Sequence, residues 1–138
     1  MNVIFVIGRI LFSFLFARSG LGHLRNREMM AAYAKTKGAP ATELTVPLTG
    51  VMLLAGAITI ALGLWADLGA LLIIAFLIPT ATIMHAYWKI DDPQERQADS
   101  VHFYKDVALL GAAVVIFYLY NQFQDVPASL TNALFGKF

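Results

Sequence analysis

Val46–Trp88 reads VPLTGVMLLAGAITIALGLW, then AD, then LGALLIIAFLIPTATIMHAYW, and Asp67 is the one charged side chain in all of it. Each flank has the length of about 20 apolar residues that an α-helix needs to cross a hydrocarbon core of about 30 Å. The two residues between them, Ala66 and Asp67, leave room only for an antiparallel hairpin. Working outward, Val3–Gly22 is a third apolar run, interrupted by Arg9 and Arg18. Tyr104–Gln122 is a fourth, with Lys105 and Asp106 in its first turn. The four runs are 20, 20, 21 and 19 residues long and together hold four of the chain's charges, whereas the remaining residues hold fifteen. The whole chain of 138 residues is 59% hydrophobic and 14% charged. A soluble domain averages about half apolar and about a quarter charged. So little polar surface cannot cover a small water-soluble globule, and a disordered chain would be poor in apolar residues. The expected fold class is therefore all-α: one integral membrane domain over residues 1–138, an up-down four-helix bundle.

The first run is expected to be a retained helix. Met1–Phe5 has no basic n-region, Arg9 would fall inside the hydrophobic region, and Ala17-Arg18-Ser19 is no cleavage site. Loop one (His23–Thr45) and loop three (Lys89–Phe103), with Lys105 beside it, carry seven Lys or Arg, and the remaining segments outside the runs carry only Lys137. The positive-inside rule places those loops in the cytoplasm and both termini outside, in what is expected to be a prokaryotic inner membrane. Trp65, Trp88, Tyr87, Tyr104, Tyr118 and Tyr120 sit at run ends, where aromatic rings meet headgroups. The net charge of +1 gives no reason to expect a nucleic-acid partner, and the absence of cysteine excludes thiol redox chemistry and thiolate metal sites.

Small residues predict packing faces, because close approach drives helix association in lipid. Candidates are Gly20 on the first helix, Thr49, Gly56 and Gly63 on the second, Ala75, Pro79, Thr82 and Ala86 on the third, and Ala108, Gly111 and Ala112 on the fourth. Pro79 leaves the Ala75 carbonyl without its usual donor and is expected to kink its helix. In loop one, Glu28–Lys35 is expected to form a short interfacial helix with Met29, Met30 and Tyr33 on one face. It is also a candidate docking surface for a soluble partner. Loop three reads as a solvated connector.

Charge within a membrane is costly and marks candidate sites. Arg9 lies about 9 Å into the first helix at 1.5 Å per residue. Ser13, Phe16, Gly20 and His23 share its face, and Arg18 lies about 180° away. Arg9 is either an anchor, bonded to carbonyls or to Tyr118 or Tyr120, or a ligand site. A second cluster gathers His23, His85, His102, Lys105 and Asp106 near the other face, with Asp106 the natural counter-ion for Lys105 or Arg18. It could bind a quinone carbonyl or headgroup, relay protons, or be no more than wetted interfacial residues. Haem between His23 and His85 is disfavoured, and no close ligand spacing supports a metal. No nucleophile motif, phosphate loop or dinucleotide fingerprint is present.

The chain resembles the DoxX family of small four-helix membrane proteins. The resemblance rests on Arg9, on Phe16-Ala17-Arg18-Ser19-Gly20-Leu21-Gly22-His23-Leu24, and on Pro47-Leu48-Thr49-Gly50 with Gly56 and Gly63. It continues through His85-Ala86-Tyr87-Trp88 and His102-Phe103-Tyr104-Lys105-Asp106 to Gly111. It implies a link to membrane oxidoreductase systems: one member is a subunit of an archaeal thiosulfate:quinone oxidoreductase, and another is proposed to tether soluble redox enzymes. It implies no catalytic residues. The ligand-binding candidates are thus Arg9, Ser13, His23, His85, Lys105 and Asp106. The expected ligand is a quinone or similar lipid-like molecule. The expected partners are membrane lipid, soluble redox enzymes and a second copy of the chain. Two readings follow: a redox-linked accessory subunit, or a non-enzymatic scaffold docking oxidoreductases through loop one. A small transporter is a third.

Overall fold

The computed structural model describes residues 2–123 and 125–136; Lys137, counted above for orientation, lies outside them. Among the described residues there are helices and turns but no strand. The helices are α1 (Asn2–Arg25), α2 (Arg27–Thr36), α3 (Thr42–Leu62), α4 (Ala66–Pro79) and α5 (Pro93–Gln122). Four apolar segments, Val3–Arg25, Thr42–Leu62, Ala66–Lys89 and Pro93–Gln122, are long enough to cross a membrane. Lipid offers backbone groups no hydrogen-bond partners, so a continuous helix is the form in which such segments satisfy themselves.

The spans pack in the order α1 on α3, α3 on α4 and α4 on α5, with α2 lying on α3. The core holds Phe16, Leu53, Ile60, Ile73, Leu77, Ala113 and Tyr120. Phe5 and Phe12 of α1 and Ile116 and Phe117 of α5 pack around it, so bulky side chains close the fourth side of the bundle. Of the packing candidates, Gly56 and Gly20 do sit at close approaches. A Cβ on Gly56 would lie 3.0 Å from Gly69 O of α4, and one on Gly20 2.8 Å from Gly50 O of α3.

Two packing assignments need correction. Gly111 has nothing within 4 Å of where its Cβ would be, and Ala108 and Ala112 are exposed with it. On α4 the buried face is Ala66, Gly69, Ala70, Ile73 and Leu77, while Ala75, Pro79 and Thr82 face outward. Small residues alone do not fix the phase of a membrane helix, because alanine suits a lipid-facing position as well as a packed one. Gly63 sits at a close approach too: a Cβ there would lie 2.7 Å from Ser129 Cα and against Arg9 Nη1. It ends α3 in the left-handed region (φ 64°), with Gly63 N on Ile60 O and Leu64 N on Thr59 O, the glycine-terminated helix stop.

Two element boundaries also differ from expectation, and one helix is docked differently. The span after Pro79 is not α-helical to Trp88: Thr80–Met84 form a wide π-turn and Tyr87–Lys89 a 3₁₀ turn. Loop three is largely helix. Asp92 caps α5, accepting from Gln94 N (3.0 Å) and Glu95 N (2.8 Å), and Pro93 occupies the first turn where its missing N–H costs nothing. In loop one, α2 forms where expected but is docked through Ala31 and Ala34 against Val46, with Met30 turned inward and only Met29 and Tyr33 outward.

Candidate functional site

The charged groups buried in the bundle fall at its two ends. The end opposite the termini is built by α4's unusual finish. Pro79 has no N–H to donate, Thr80 Oγ1 donates to Phe76 O (2.7 Å), and the widened turn closes with His85 N on Thr80 O (3.2 Å). His85 then leaves helical geometry (φ −114°, ψ 41°). Facing it, α5 carries Asp99, His102 and Asp106 at spacings of three and four, one side of a helix.

His85 stands between the two carboxylates. Its Nδ1 is 2.9 Å from Asp99 Oδ1, and its Nε2 is 3.8 Å from Asp106 Oδ2. The first is a hydrogen bond and the second is too long to be one. Lys37, just past the end of α2, reaches Asp99 Oδ2 at 3.4 Å, and Lys105 reaches Asp106 Oδ1 at 3.4 Å. The His102 ring stacks on His85 at 5.1 Å. The order is thus Lys37, Asp99, His85, Asp106, Lys105: two cations, two anions and one histidine able to take or give a proton. The Asp106 side chain is 5% exposed and its Oδ2 is buried without a hydrogen bond. Beside the cluster, Tyr87, Trp88, Phe103 and Tyr104 pack edge to face, with Trp88 and Tyr104 exposed.

His85, His102, Lys105 and Asp106 therefore come together as expected from the sequence, and Lys105 is the counter-ion of Asp106. His23 does not join them. Its Nδ1 meets Thr49 Oγ1 (2.9 Å) and Val46 O (3.3 Å), and its ring edge packs on Phe76, so it ties α1 to α3 and α4. Both nitrogens of His85 are turned to carboxylates, so the His23–His85 pair does not fit a bis-histidine haem. Asp99 and Lys37 were missed. The signal for Asp99 was the Asp92-Pro93 cap, which starts α5 early enough to put residues 99, 102 and 106 in register.

The terminal end holds Arg9, which is 5% exposed. Its Nη1 donates to Tyr120 Oη (2.6 Å) and Ser129 Oγ (3.0 Å), and its Nη2 to Ala128 O (2.7 Å). The Phe5 ring lies 5.3 Å away. This is the anchor arrangement, with Tyr120 the bonding tyrosine and Tyr118 exposed. Arg9 Nε and Ser13 Oγ are buried on the same helix face without partners. The segment after α5 folds back over this end, which no sequence pattern indicated. Leu130 N and Thr131 N donate to Gly63 O, and Trp65 N donates to Thr131 Oγ1. Asp67, fully buried, accepts from Leu134 N (3.0 Å) and Phe135 N (2.8 Å). Asn121 Nδ2 donates to Gly136 O (2.8 Å). Residues 126–136 thus form a clasp, held by Arg9 at one end and Asp67 at the other.

Four apolar spans, buried charges confined to both ends and loops that hold most of the Lys and Arg define a polytopic, all-α integral membrane protein. The DoxX family model matches residues 4–86, more than half the chain and including Arg9 and His85. The chain belongs to the DoxX family. No curated protein and no solved structure matches it.

Proposed function

We propose that this DoxX-family protein is a redox-linked accessory subunit that binds a quinone or a similar lipid-like ligand at the His85 cluster. The observation that carries the reading is the placement of His85 between Asp99 and Asp106, with Asp106 Oδ2 buried and lacking a donor. A buried carboxylate oxygen without a partner is expensive, and a ligand hydroxyl would supply the missing hydrogen bond. Reduction of a quinone to a quinol takes up two electrons and two protons. The chain has no cysteine, and the electrons come, in this reading, from a partner oxidoreductase. The chain's own groups handle the protons. Asp106 and His85 hold them at the ligand, and Asp99 with Lys37 connects His85 to the α2 side. The exposed rings of Trp88 and Tyr104 offer a surface for a flat ring. By the positive-inside count this end is cytoplasmic, where a soluble partner would deliver electrons.

The test is binding of a short-chain ubiquinone to the detergent-purified protein. His85→Gln and Asp106→Asn are each expected to weaken binding about tenfold, roughly 1.4 kcal/mol. Equal affinity in wild type and both variants would overturn the assignment. The docking reading is favoured by one observation: α2 turns Met29 (68% exposed) and Tyr33 (51%) away from the bundle. Deleting α2 would not test it, because Ala31 and Ala34 are packed on α3. Met29→Ser with Tyr33→Ser is expected to release a co-purifying oxidoreductase and leave the bundle folded. Unchanged co-purification would remove that reading.

A further inference from the structure

Away from both buried polar clusters, α2 and the first turn of α3 enclose an open cleft of about 560 Å³. Its walls carry two cations, Arg27 and Lys35, and two carboxylates, Glu28 and Glu43. None of the four side chains has an ion-pair or hydrogen-bond partner among the described residues. The same cleft receives the start of α3, whose N-cap position is Ala41 in the left-handed region (φ 46°) with no side chain capping the helix. An uncapped helix N-terminus favours an anion. Thr42, which also lines the cleft, is only 6% exposed, and its hydroxyl has no partner among the described residues.

From the cleft an apolar track leads along α3. Leu44 lines an adjoining cavity that shares Lys35, Thr42 and Glu43 with the cleft, and Leu48, Val51, Ile58 and Leu62 follow at helical spacing, all between 47% and 70% exposed. Unpaired charges of both signs at the top of a lipid-facing helix match a molecule with a phosphate, an ammonium group and acyl chains.

We infer that this cleft is a binding site for a zwitterionic phospholipid with a phosphoethanolamine headgroup. Arg27, Lys35, the Thr42 hydroxyl and the α3 N-terminus take the phosphate. Glu28 and Glu43 take the ammonium, whose N–H groups donate to carboxylates. The acyl chains lie along Leu44, Leu48 and Val51. A choline headgroup has no N–H to donate, and a glycerol headgroup has no cation, so the site discriminates by headgroup and not merely by net charge.

The experiment is native mass spectrometry of the delipidated full chain, titrated in detergent with dioleoyl-phosphatidylethanolamine, -phosphatidylcholine or -phosphatidylglycerol. The wild type is expected to hold one phosphatidylethanolamine at least about tenfold more tightly than either other lipid, the equivalent of one charge-assisted hydrogen bond. Arg27→Ala with Lys35→Ala is expected to weaken all three. Glu28→Gln with Glu43→Gln is expected to abolish the preference over phosphatidylcholine and leave phosphatidylglycerol binding intact. All four side chains are exposed, so the thermal midpoint of each variant should match wild type. Equal affinity of the wild type for the three lipids overturns the proposal without any variant. So does displacement of the lipid by soluble phosphoethanolamine at equal concentration, which would assign the cleft to a water-soluble phosphate.

Discussion

Replacing Asp67 by alanine should release the segment after α5 while sparing the bundle. The carboxylate is fully buried and accepts two backbone amides, Leu134 N at 3.0 Å and Phe135 N at 2.8 Å. Hydrogen bonds to an ionised group contribute about 1.5–3 kcal/mol each, so the pair contributes about 3–6 kcal/mol if the segment stays in place. The segment does not have to stay in place. Once the carboxylate is gone, both amides can reach water by local opening, which caps the loss near the lower figure. About 3 kcal/mol raises the opening constant roughly 150-fold. The assay is amide hydrogen exchange of the detergent-purified protein, read at Leu134 and Phe135. Amides deep in α3 and α4 should keep their protection, because the apolar core around Leu53, Ile60 and Ile73 is untouched. Asp67→Asn is the sharper variant. Its amide retains one acceptor oxygen but presents an NH₂ to the other donor, so the opening should lie between wild type and Asp67→Ala. Unchanged exchange at Leu134 and Phe135 in Asp67→Ala would refute the clasp.

The Arg9 end of the clasp makes its own prediction. Arg9→Lys keeps the charge but cannot reach Tyr120, Ser129 and Ala128 with one ammonium, and should cost about 1–3 kcal/mol in thermal stability; an unchanged midpoint would show that the fork is not needed. Two glycines should behave oppositely. Gly63→Ala meets a left-handed backbone and a Cβ pressed against Arg9 and Ser129, and should destabilise by at least about 1 kcal/mol. Gly111→Ala meets open space within a helix and should be neutral or stabilising by up to about 1 kcal/mol. The comparison is one pair of thermal melts.

The four spans were legible because lipid demands long uninterrupted apolar runs, and Val46–Trp88 supplies two of them around one hairpin. The start of α5 was not, since hydropathy treats Pro93–Phe103 as loop. The local chemistry of Asp92 capping Gln94 and Glu95 says helix. That misplaced boundary hid Asp99. Arg9 was legible as an anomaly, and Tyr120 as one of two candidate partners. The clasp was illegible for a different reason. Most of its bonds engage backbone groups, such as the amides of Leu130, Thr131, Leu134 and Phe135 and the carbonyls of Gly63 and Ala128. Every sequence offers such groups, and Asp67 alone looked like an ordinary turn residue. The faces of α4 failed because alanine at 75 and alanine at 70 are the same residue in two environments.

Pro79 connects these observations. It faces outward and stands immediately before the widened turn that leads to His85. In water, the carbonyl that a helical proline orphans finds a solvent donor. Within lipid it does not, and the backbone must rearrange until its neighbours are satisfied. Here the Thr80 hydroxyl joins Thr80 N on Phe76 O, the Thr82 hydroxyl donates to Ile78 O, and the next turn is widened, with His85 N on Thr80 O. A widened turn takes up one extra residue, and one residue is about 100° of helical rotation. A regular helix through Met84 would therefore aim the side chain of residue 85 about a quarter turn away from Asp99 and Asp106. The histidine's position between two carboxylates thus goes with the widened turn that follows Pro79 and precedes it in the chain.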